Sequence, residues 1–213
     1  MNVDQLLSRF YWLGHDSFRL EGPPVIYWDP RNLKGEPPRA DLVLVSHEHF
    51  DHCSPNDVAR ISGPETIVLA GGTAADQIPG ARRIRPGDRL TLDEVEVEAV
   101  PAYNLTKFRS PGVPFHPRES EHVGFIVTID GVRVYFAGDT DAIPEMADID
   151  CDVALLPISG TYVMTVEEAM EAAQTLQPQV VVPMHYGDIV GTVDDCRRFI
   201  ELYPGRTALL ETA

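Results

Sequence analysis

The sequence predicts an α/β fold made of two mixed sheets that pack face to face, with helices on the outside. Two observations predict it. In each half of the chain, a strand-rich section is followed by units that contain helices. Several apolar strands also end in polar residues of the kinds that bind metals. Its 213 residues suffice for one sizeable core, and no linker rich in Pro, Ser or Gly divides them. We therefore expect a single domain over residues 1–213.

The first half of the chain begins as an antiparallel meander. Short apolar runs at 10–13, 17–20 and 24–28 are separated by Gly14 and by Glu21-Gly22, which indicate turns. The elements expected next, in order, are a buried strand at 42–45, a helix after the N-cap residue Ser54, a strand at 66–69 and a short helix at 73–77.

The second half carries clearer strand and helix signals. Residues 95–100 alternate as a half-exposed strand, and 125–136 form a hairpin around the turn Asp130-Gly131. The elements expected after it are a strand at 152–157, a helix from the capping box at Thr165 to Leu176, a strand at 179–184, a helix at 192–203 and a last strand at 207–210. Apolar residues recur at helical spacing in both helices, so those faces belong to the core.

Directly after the strand at 42–45, five groups that can bind metals or protons are crowded into six residues. They are His47, Glu48, His49, Asp51 and His52. Alternate side chains of an extended segment point the same way, so His47 and His49 can bind one ion while Asp51 and His52 turn toward a second. A single histidine here would be an ordinary surface or core residue. Three with an aspartate at these offsets indicate a metal pair.

Other strands also end in polar residues. Asn104 follows the strand at 95–100, Asp139 follows the hairpin, and His185 follows the strand at 179–184. Because strand ends in α/β folds gather functional residues, we expect these side chains to converge with the segment 47–52. His15 and Asp29 lie at turns; each is a candidate metal ligand or a residue that supports the ligands, although each taken alone is typical of a turn residue that bonds local backbone.

The segment 105–121 is polar and Pro-rich, with little regular pattern. A loop of this kind inside a compact domain is more often functional than idle, with a solvated excursion as the alternative. Its Lys107, Arg109, Arg118 and His116 form the most cationic patch of an acidic chain. Lys107 and Arg109 are therefore candidate substrate contacts, as are Tyr162 and Tyr186, for which simple packing is the competing interpretation.

Composition limits the classes of partner. A formal net charge of −16 argues against nucleic acid, because binding of phosphate backbones depends on clustered Lys and Arg. The N-terminus has no signal-peptide pattern, and no apolar run approaches the ~18 residues that cross a bilayer, so we expect a cytoplasmic protein without membrane contact. Three cysteines without CxxC spacing suggest neither disulfides nor a thiolate cluster. Homo-oligomerisation stays open.

The motif H-x-H-x-D-H at 47–52, Gly138-Asp139-Thr140 and Met184-His185-Tyr186-Gly187 occur in this order, and with them the chain resembles the metallo-β-lactamase superfamily. Its small size and the stretch Trp12-Leu-Gly-His-Asp-Ser-Phe resemble the branch of small metal-dependent hydrolases that includes ascorbate-6-phosphate lactonase. The resemblance implies an αββα four-layer sandwich with a dinuclear site, usually zinc but sometimes manganese or iron. It implies His47 and His49 on one ion, Asp51, His52 and His185 on the other, and Asp139 as the bridge.

One position departs from the family pattern. The family commonly has a third histidine for the first ion where this chain has Asn104, and an amide oxygen is a weaker and harder ligand than imidazole. Three alternatives follow from this. The first site binds metal weakly, prefers a harder ion such as manganese, or recruits His116 or His122 from nearby sequence.

The favoured function is metal-dependent hydrolysis of a small ester, lactone or phosphodiester by a metal-bound hydroxide, with Asp51 as the catalytic carboxylate. The substrate would be a small molecule, with an anionic one allowed if local positive charge outweighs the global field. One alternative is a non-catalytic protein that binds or senses metal, for which Asn104 is the best support. A single-strand nuclease is a third reading, which the charge disfavours.

Overall fold

The computed structural model describes residues 1–212. In that range no helix combines the length and the hydropathy needed to cross a membrane. The helices are α1 (Val3–Leu7), α2 (Pro55–Ile61), α3 (Ala74–Gln77), α4 (Val166–Leu176) and α5 (Val193–Leu202). The strands are β1 (Phe10–Gly14), β2 (Ser17–Leu20), β3 (Ile26–Trp28), β4 (Leu42–Val45), β5 (Ile67–Ala70), β6 (Arg82–Arg83), β7 (Arg89–Leu92), β8 (Val95–Pro101), β9 (Phe108–Ser110), β10 (Val113–Pro114), β11 (Val123–Ile129), β12 (Val132–Phe136), β13 (Val153–Pro157), β14 (Val180–Met184) and β15 (Glu211–Thr212).

The strands form two mixed sheets and a separate hairpin. The first sheet has the order β15-β1-β2-β3-β4-β5-β6, antiparallel between β1, β2 and β3 and parallel from β3 to β6. The second has the order β14-β13-β12-β11-β8-β7, parallel from β12 to β14 and antiparallel elsewhere. The hairpin pairs β9 with β10.

The main core lies between the two sheets. Phe18 of the first sheet and Phe136 of the second meet edge to face, with ring centroids 6.2 Å apart, and both side chains are fully buried. On the other face of the first sheet, Tyr27 and Val43 form a second apolar cluster with Ile61 of α2. Helices α4 and α5 bury their alanine and phenylalanine faces on the second sheet. The layers are therefore helix, sheet, sheet, helix, and the predicted αββα architecture is confirmed.

Three local features differ from the sequence prediction. Helix α1 was not predicted, although Asn2 and Gln5 form a reciprocal capping box at its start. The 105–121 segment, which lacks a regular pattern, contains the short hairpin β9–β10. The last strand, predicted at 207–210, is an irregular segment held by one bridge from Thr207 to Val181. The chain pairs with β1 only at β15.

The carboxyl ends of β4, β12 and β14 meet at one edge of the sandwich. Parallel neighbours in a sheet end at the same edge, which applies to β12, β13 and β14. Two backbone hydrogen bonds join the two sheets there. Val123 N donates to Ser46 O at 3.2 Å, and His185 N donates to His15 O at 3.2 Å. The segments that follow these strands are therefore fixed relative to each other.

Candidate metal centre

Two clusters of histidine and aspartate side chains lie at this edge. The first contains His47, His49, His116 and Asp139, and the second contains His15, Asp16, His52 and His185. Within each cluster, one candidate ligand atom per residue lies within 4.8 Å of all the others. Both clusters are consistent with divalent metal binding, and Asp139 lies between them.

The first cluster presents three nitrogen atoms and one oxygen. His49 Nδ1 lies 3.0 Å from His47 Nε2 and 3.2 Å from His116 Nε2. Asp139 Oδ2 lies 3.2 Å from His116 Nε2 and 4.0 Å from His47 Nε2. Four ligands about 2.1 Å from a tetrahedral ion are separated by about 3.4 Å. The spacing and the number of donors therefore fit a four-coordinate divalent ion.

Asn104 lies behind His116 and not in the cluster. Its Oδ1 accepts from both the backbone N (2.9 Å) and Nδ1 (2.8 Å) of His116. Its Nδ2 donates to Asp141 Oδ1 (3.0 Å) and to the Tyr162 carbonyl (2.9 Å). Because Nδ1 of His116 donates its hydrogen to the Asn104 amide oxygen, the neutral ring has its lone pair on Nε2, which faces the cluster. Asn104 thus orients the histidine that occupies the third nitrogen position.

The second cluster surrounds the other oxygen of Asp139. His52 Nε2 lies 3.2 Å and His185 Nε2 lies 3.4 Å from Asp139 Oδ1. Asp51 Oδ2 lies 3.9 Å from His52 Nε2 and 3.5 Å from His15 Nε2. Asp139 therefore presents one oxygen to each cluster, as a bridging carboxylate would.

Hydroxyl and carboxylate groups fix the imidazoles from behind. Ser46 Oγ donates to Asp29 Oδ2 (2.6 Å), so it accepts from His47 Nδ1 (2.9 Å). Asp29 Oδ2 also accepts from His52 Nδ1 at 2.7 Å. Ser159 Oγ contacts His185 Nδ1 at 2.8 Å in the same way. In each case the second nitrogen is free to face the cluster, which is how proteins orient histidine ligands.

His122 lies outside both clusters. Its Nε2 is 3.1 Å from Glu48 Oε1, the acidic residue that separates His47 from His49. The sequence allowed either His116 or His122 as the third histidine of the first site. The structure places His116 in that site and pairs His122 with Glu48.

Left-handed backbone conformations concentrate at this edge. His15 (φ 54°), Asp29 (φ 42°) and His185 (φ 60°) all adopt positive φ, although none is glycine. Such conformations cost of order 1 kcal/mol or more at non-glycine residues and persist where the surroundings impose them. Gly138, at φ 64°, makes the corresponding turn before Asp139, and a side chain there would approach Val123 O at 3.0 Å. The fold holds these side chains in place at a cost in local stability.

The pKa values of the histidines divide along the two clusters. Burial lowers the pKa of His47 well below its ordinary value and that of His49 to about 4. Burial also acts on His52 and His185, but the Asp139 carboxylate outweighs it, raising the pKa of His52 and bringing that of His185 to about 9. In the metal-free protein His47 and His49 are therefore neutral at neutral pH, whereas His52 and His185 are protonated.

Several buried polar atoms at this edge have no hydrogen-bond partner among residues 1–212. They are both nitrogens of His15, both carboxylate oxygens of Asp16, Nε2 of His52 and of His185, and Oδ1 of Asp139. Unpaired buried polar groups are costly, and those that occur in native structures need an explanation. Divalent cations would satisfy these atoms, so the residues present fit the metal pair that the fold family implies.

The candidate substrate contacts are largely engaged within the protein. Lys107 Nζ lies 2.6 Å from Glu168 Oε2, and Arg109 packs over the Phe115 ring. Tyr186 is buried, and its ring stacks on Trp12 with centroids 5.0 Å apart. Tyr162 is partly exposed and contacts Phe115 edge to face at 4.6 Å. Tyr162 thus remains open to solvent, whereas Tyr186 serves packing.

Asp16 is the main residue of this site that sequence reasoning missed. It is adjacent to His15 in the turn between β1 and β2, and an isolated aspartate in a tight turn ordinarily bonds local backbone. Its pairing with a histidine at the same turn was the one available signal. Ser46 and Ser159 were not assigned a role either. They orient the imidazoles of His47 and His185, and those contacts exist only in the folded structure.

The comparisons with known proteins agree with this geometry. A family model described as a beta-lactamase superfamily domain matches residues 9–185. A solved structure from Thermotoga maritima, described as a proposed Zn-dependent hydrolase of the metallo-beta-lactamase superfamily, superposes with a TM-score of 0.65 at 22% identity, covering 96% of this chain and 98% of that one. The fold is therefore that of the metallo-β-lactamase superfamily.

Nearer relatives define the family. A UPF0173 metal-dependent hydrolase from Methanoculleus marisnigri is 36% identical over 186 residues, which cover 84% of this chain and 80% of that protein. The structure of a proposed metal-dependent hydrolase from Parabacteroides distasonis has a TM-score of 0.83 at 33% identity, covering 95% of this chain and 92% of that one. The chain belongs to the UPF0173 family of the metallo-β-lactamase superfamily. The finer resemblance to ascorbate-6-phosphate lactonase stays a prediction.

Proposed function

We propose that this protein is a metal-dependent hydrolase that acts on a small ester, lactone or phosphodiester. The observation that carries the proposal is the pair of His/Asp clusters that share Asp139, in a chain whose relatives are described as metal-dependent hydrolases. Two divalent ions in such a site activate a water molecule for attack and polarise the oxygen under attack.

The protein's own residues supply positioning and a proton acceptor. Burial alone would raise the pKa of Asp51, but the neighbouring His15 and the charge of His52 outweigh it and lower the pKa to about 2. Asp51 is therefore ionised at neutral pH and can accept a hydrogen bond from the attacking water at Oδ2. A carboxylate with so low a pKa is better suited to orienting a water molecule and passing on the proton of that water than to retaining the proton.

The surroundings of the clusters favour a small substrate with an apolar part. Phe50, between His49 and Asp51, is 72% exposed, and Leu105, next to Asn104, is 46% exposed. Two cations of the 105–121 loop are paired with carboxylates, Lys107 with Glu168 and Arg118 with Glu145, whereas Arg109 lies over the Phe115 ring. We therefore assign recognition of any anionic group chiefly to the metal ions, and nucleic acid stays disfavoured by the net charge of −16.

The hydrolase proposal is tested with a panel of p-nitrophenyl esters, lactones and bis(p-nitrophenyl) phosphate, using protein loaded with Zn²⁺ or Mn²⁺. We expect turnover of at least one class, and a loss of about 100-fold or more for His49→Ala, because a ligand contributes at least as much as the groups that orient it. Asp57→Asn is the matched control, since it changes a buried, hydrogen-bonded residue that belongs to neither cluster. Metal-loaded protein that hydrolyses no member of the panel would contradict the proposal.

A second prediction concerns Asn104. Replacing it with alanine removes both acceptor contacts from His116, so we expect metal affinity of the first cluster to fall about 10- to 100-fold, with the second cluster unaffected. Competition with a chromophoric chelator measures each affinity. Asn104→Asp keeps Oδ1 but places a carboxylate oxygen against Asp141 and the Tyr162 carbonyl, so it is not a rescue variant. Unchanged affinity in Asn104→Ala would show that packing alone orients His116.

A further inference from the structure

We propose that Asp16 is a ligand of the second metal ion and that this ion is of the harder, six-coordinate kind, such as Mn²⁺ or Fe²⁺, whereas the first cluster binds Zn²⁺. The inference rests on the proposed two-metal site. It does not depend on which substrate is hydrolysed or on whether hydrolysis occurs.

The geometry around Asp16 is that of a shared cation. Its side chain is 0% exposed, and neither oxygen has a hydrogen-bond partner among residues 1–212. Oδ2 lies 3.4 Å from His52 Nε2, 3.5 Å from His15 Nε2 and 3.8 Å from His185 Nε2. Ligands of a common ion about 2.1 Å away lie about 3.0 to 3.4 Å apart. These separations exceed ordinary hydrogen bonds, and three nitrogens converge on one oxygen.

Protonated histidine does not account for this arrangement. His52 Nδ1 is occupied by Asp29 at 2.7 Å, so only Nε2 remains to face the other carboxylates. That single nitrogen lies 3.2 Å from Asp139 Oδ1, 3.4 Å from Asp16 Oδ2 and 3.9 Å from Asp51 Oδ2. One N–H satisfies one acceptor in good geometry. An ion bound to all of them satisfies every one.

The charges give an independent argument. Four buried carboxylates, those of Asp16, Asp29, Asp51 and Asp139, lie at this edge. Their ion-pair partners within residues 1–212 are all histidines, with no Lys or Arg within 4.0 Å. His52 and His185, which are protonated without metal, offset two of these four negative charges, and buried charge that is not offset is costly. Two divalent ions would balance all four.

The ligand types then distinguish the two ions. The first cluster has three imidazoles and one carboxylate. Around the second position lie three carboxylates, those of Asp16, Asp51 and Asp139, together with the imidazoles of His15, His52 and His185. Oxygen-rich sites with more than four ligands suit Mn²⁺ and Fe²⁺, whereas nitrogen-rich tetrahedral sites suit Zn²⁺.

The test compares wild-type protein with Asp16→Asn after chelation and reconstitution with Mn²⁺, Zn²⁺ or both. Bound metal is counted by mass spectrometry, and thermal unfolding is followed with and without metal. We expect wild type to bind two ions, with Mn²⁺ in the second position, and Asp16→Asn to bind one, its second-site Mn²⁺ affinity reduced at least 100-fold. Asp57→Asn, which neutralises another buried and hydrogen-bonded carboxylate that belongs to neither cluster, is expected to bind two.

The dependence of the stability change on metal separates a ligand from a structural group. If Asp16 is a ligand, bound metal stabilises wild type more than Asp16→Asn, so the stability difference between the two proteins widens when metal is added. Two bound ions in the variant, with the same stability difference in the presence and absence of metal, would overturn the proposal. Should the variant fail to fold, a crystal structure of Mn²⁺-loaded wild type decides, since a ligand oxygen must lie about 2.0 to 2.3 Å from the ion.

Discussion

Replacing Asp139 with asparagine is expected to lower hydrolytic activity on the order of 10³-fold or more and to release at least one of the two ions. Asp139 is the only side chain of the two clusters with one oxygen toward each, Oδ2 near His116 Nε2 and Oδ1 near His52 Nε2. Asparagine keeps the shape but has one oxygen and no charge. A loss of several kcal/mol of metal-derived stabilisation corresponds to this fall in rate.

The measurement pairs kcat/KM with metal stoichiometry on the same preparation. Asp57→Asn serves as the control, because it also neutralises a buried carboxylate that accepts hydrogen bonds, from Asn32 N and Ser54 Oγ, without touching either cluster. We expect that variant to lose some stability but to keep both ions and most of its activity. Retention of two ions and near-normal kcat/KM by Asp139→Asn would refute a bridging role.

Much of the architecture follows from local patterns. The apolar run of β4, the Asp-Gly hairpin of β11 and β12 and the capping boxes of α4 and α5 each specify an element without help from the rest of the chain. Since parallel strands end at one edge, the prediction that residues after these strands converge needs only topology. The structure does place the 47–52 segment, Asp139 and His185 together.

The third nitrogen of the first cluster was not decidable from sequence. His116 and His122 both follow Asn104 within a segment that has no periodicity, so nothing local ranks one above the other. The choice is made by tertiary contacts. Asn104 holds the backbone and the ring of His116, while Glu48 engages His122. An amide that looks like a lost ligand in the sequence is a positioning group in the structure.

The role of Asp16 could not be predicted from the sequence either. His15, in the β1–β2 turn, and His185, after β14, are 170 residues apart in sequence, and tertiary contacts such as the hydrogen bond from His185 N to His15 O bring Asp16 near His185. Turn chemistry explains a lone aspartate equally well. Its burial without partners, which reveals its role, is a property of the packed structure alone.

The two clusters differ in how metal binding depends on pH. A histidine must lose its proton from the binding nitrogen before it binds an ion. The ordinary histidine pKa is about 6.5, and burial lowers the pKa of His47 well below it and that of His49 to about 4, so both rings are unprotonated at neutral pH. His52 and His185 have raised pKa values, about 9 for His185, because the Asp139 and Asp16 carboxylates outweigh burial. The second cluster must therefore release protons.

The same shifts fix the signs for stability without metal. His185 has a folded pKa raised above its unfolded value, so its contribution is fully present below pH ~6.5 and is lost as pH rises through about 9. His49 is the opposite case. Its folded pKa is lowered, so its contribution is present above pH ~6.5 and is lost as pH falls toward about 4. Metal binding competes with protons chiefly at the second cluster.

Between pH ~6 and ~8 we therefore expect the affinity of the second site to rise up to about 100-fold per pH unit, about tenfold for each proton released by His52 and His185, whereas His47 and His49 add no such dependence to the first site. Calorimetric titrations in buffers of different ionisation enthalpy count the protons directly: about two from His52 and His185 for the second ion, falling as pH passes about 9, and none from His47 or His49 for the first. His185→Gln leaves His52 as the one protonated ligand, so its second-site slope should drop to about tenfold. If metal affinity changed equally with pH at both sites, the two clusters would release equal numbers of protons. That result would contradict the difference in protonation between them.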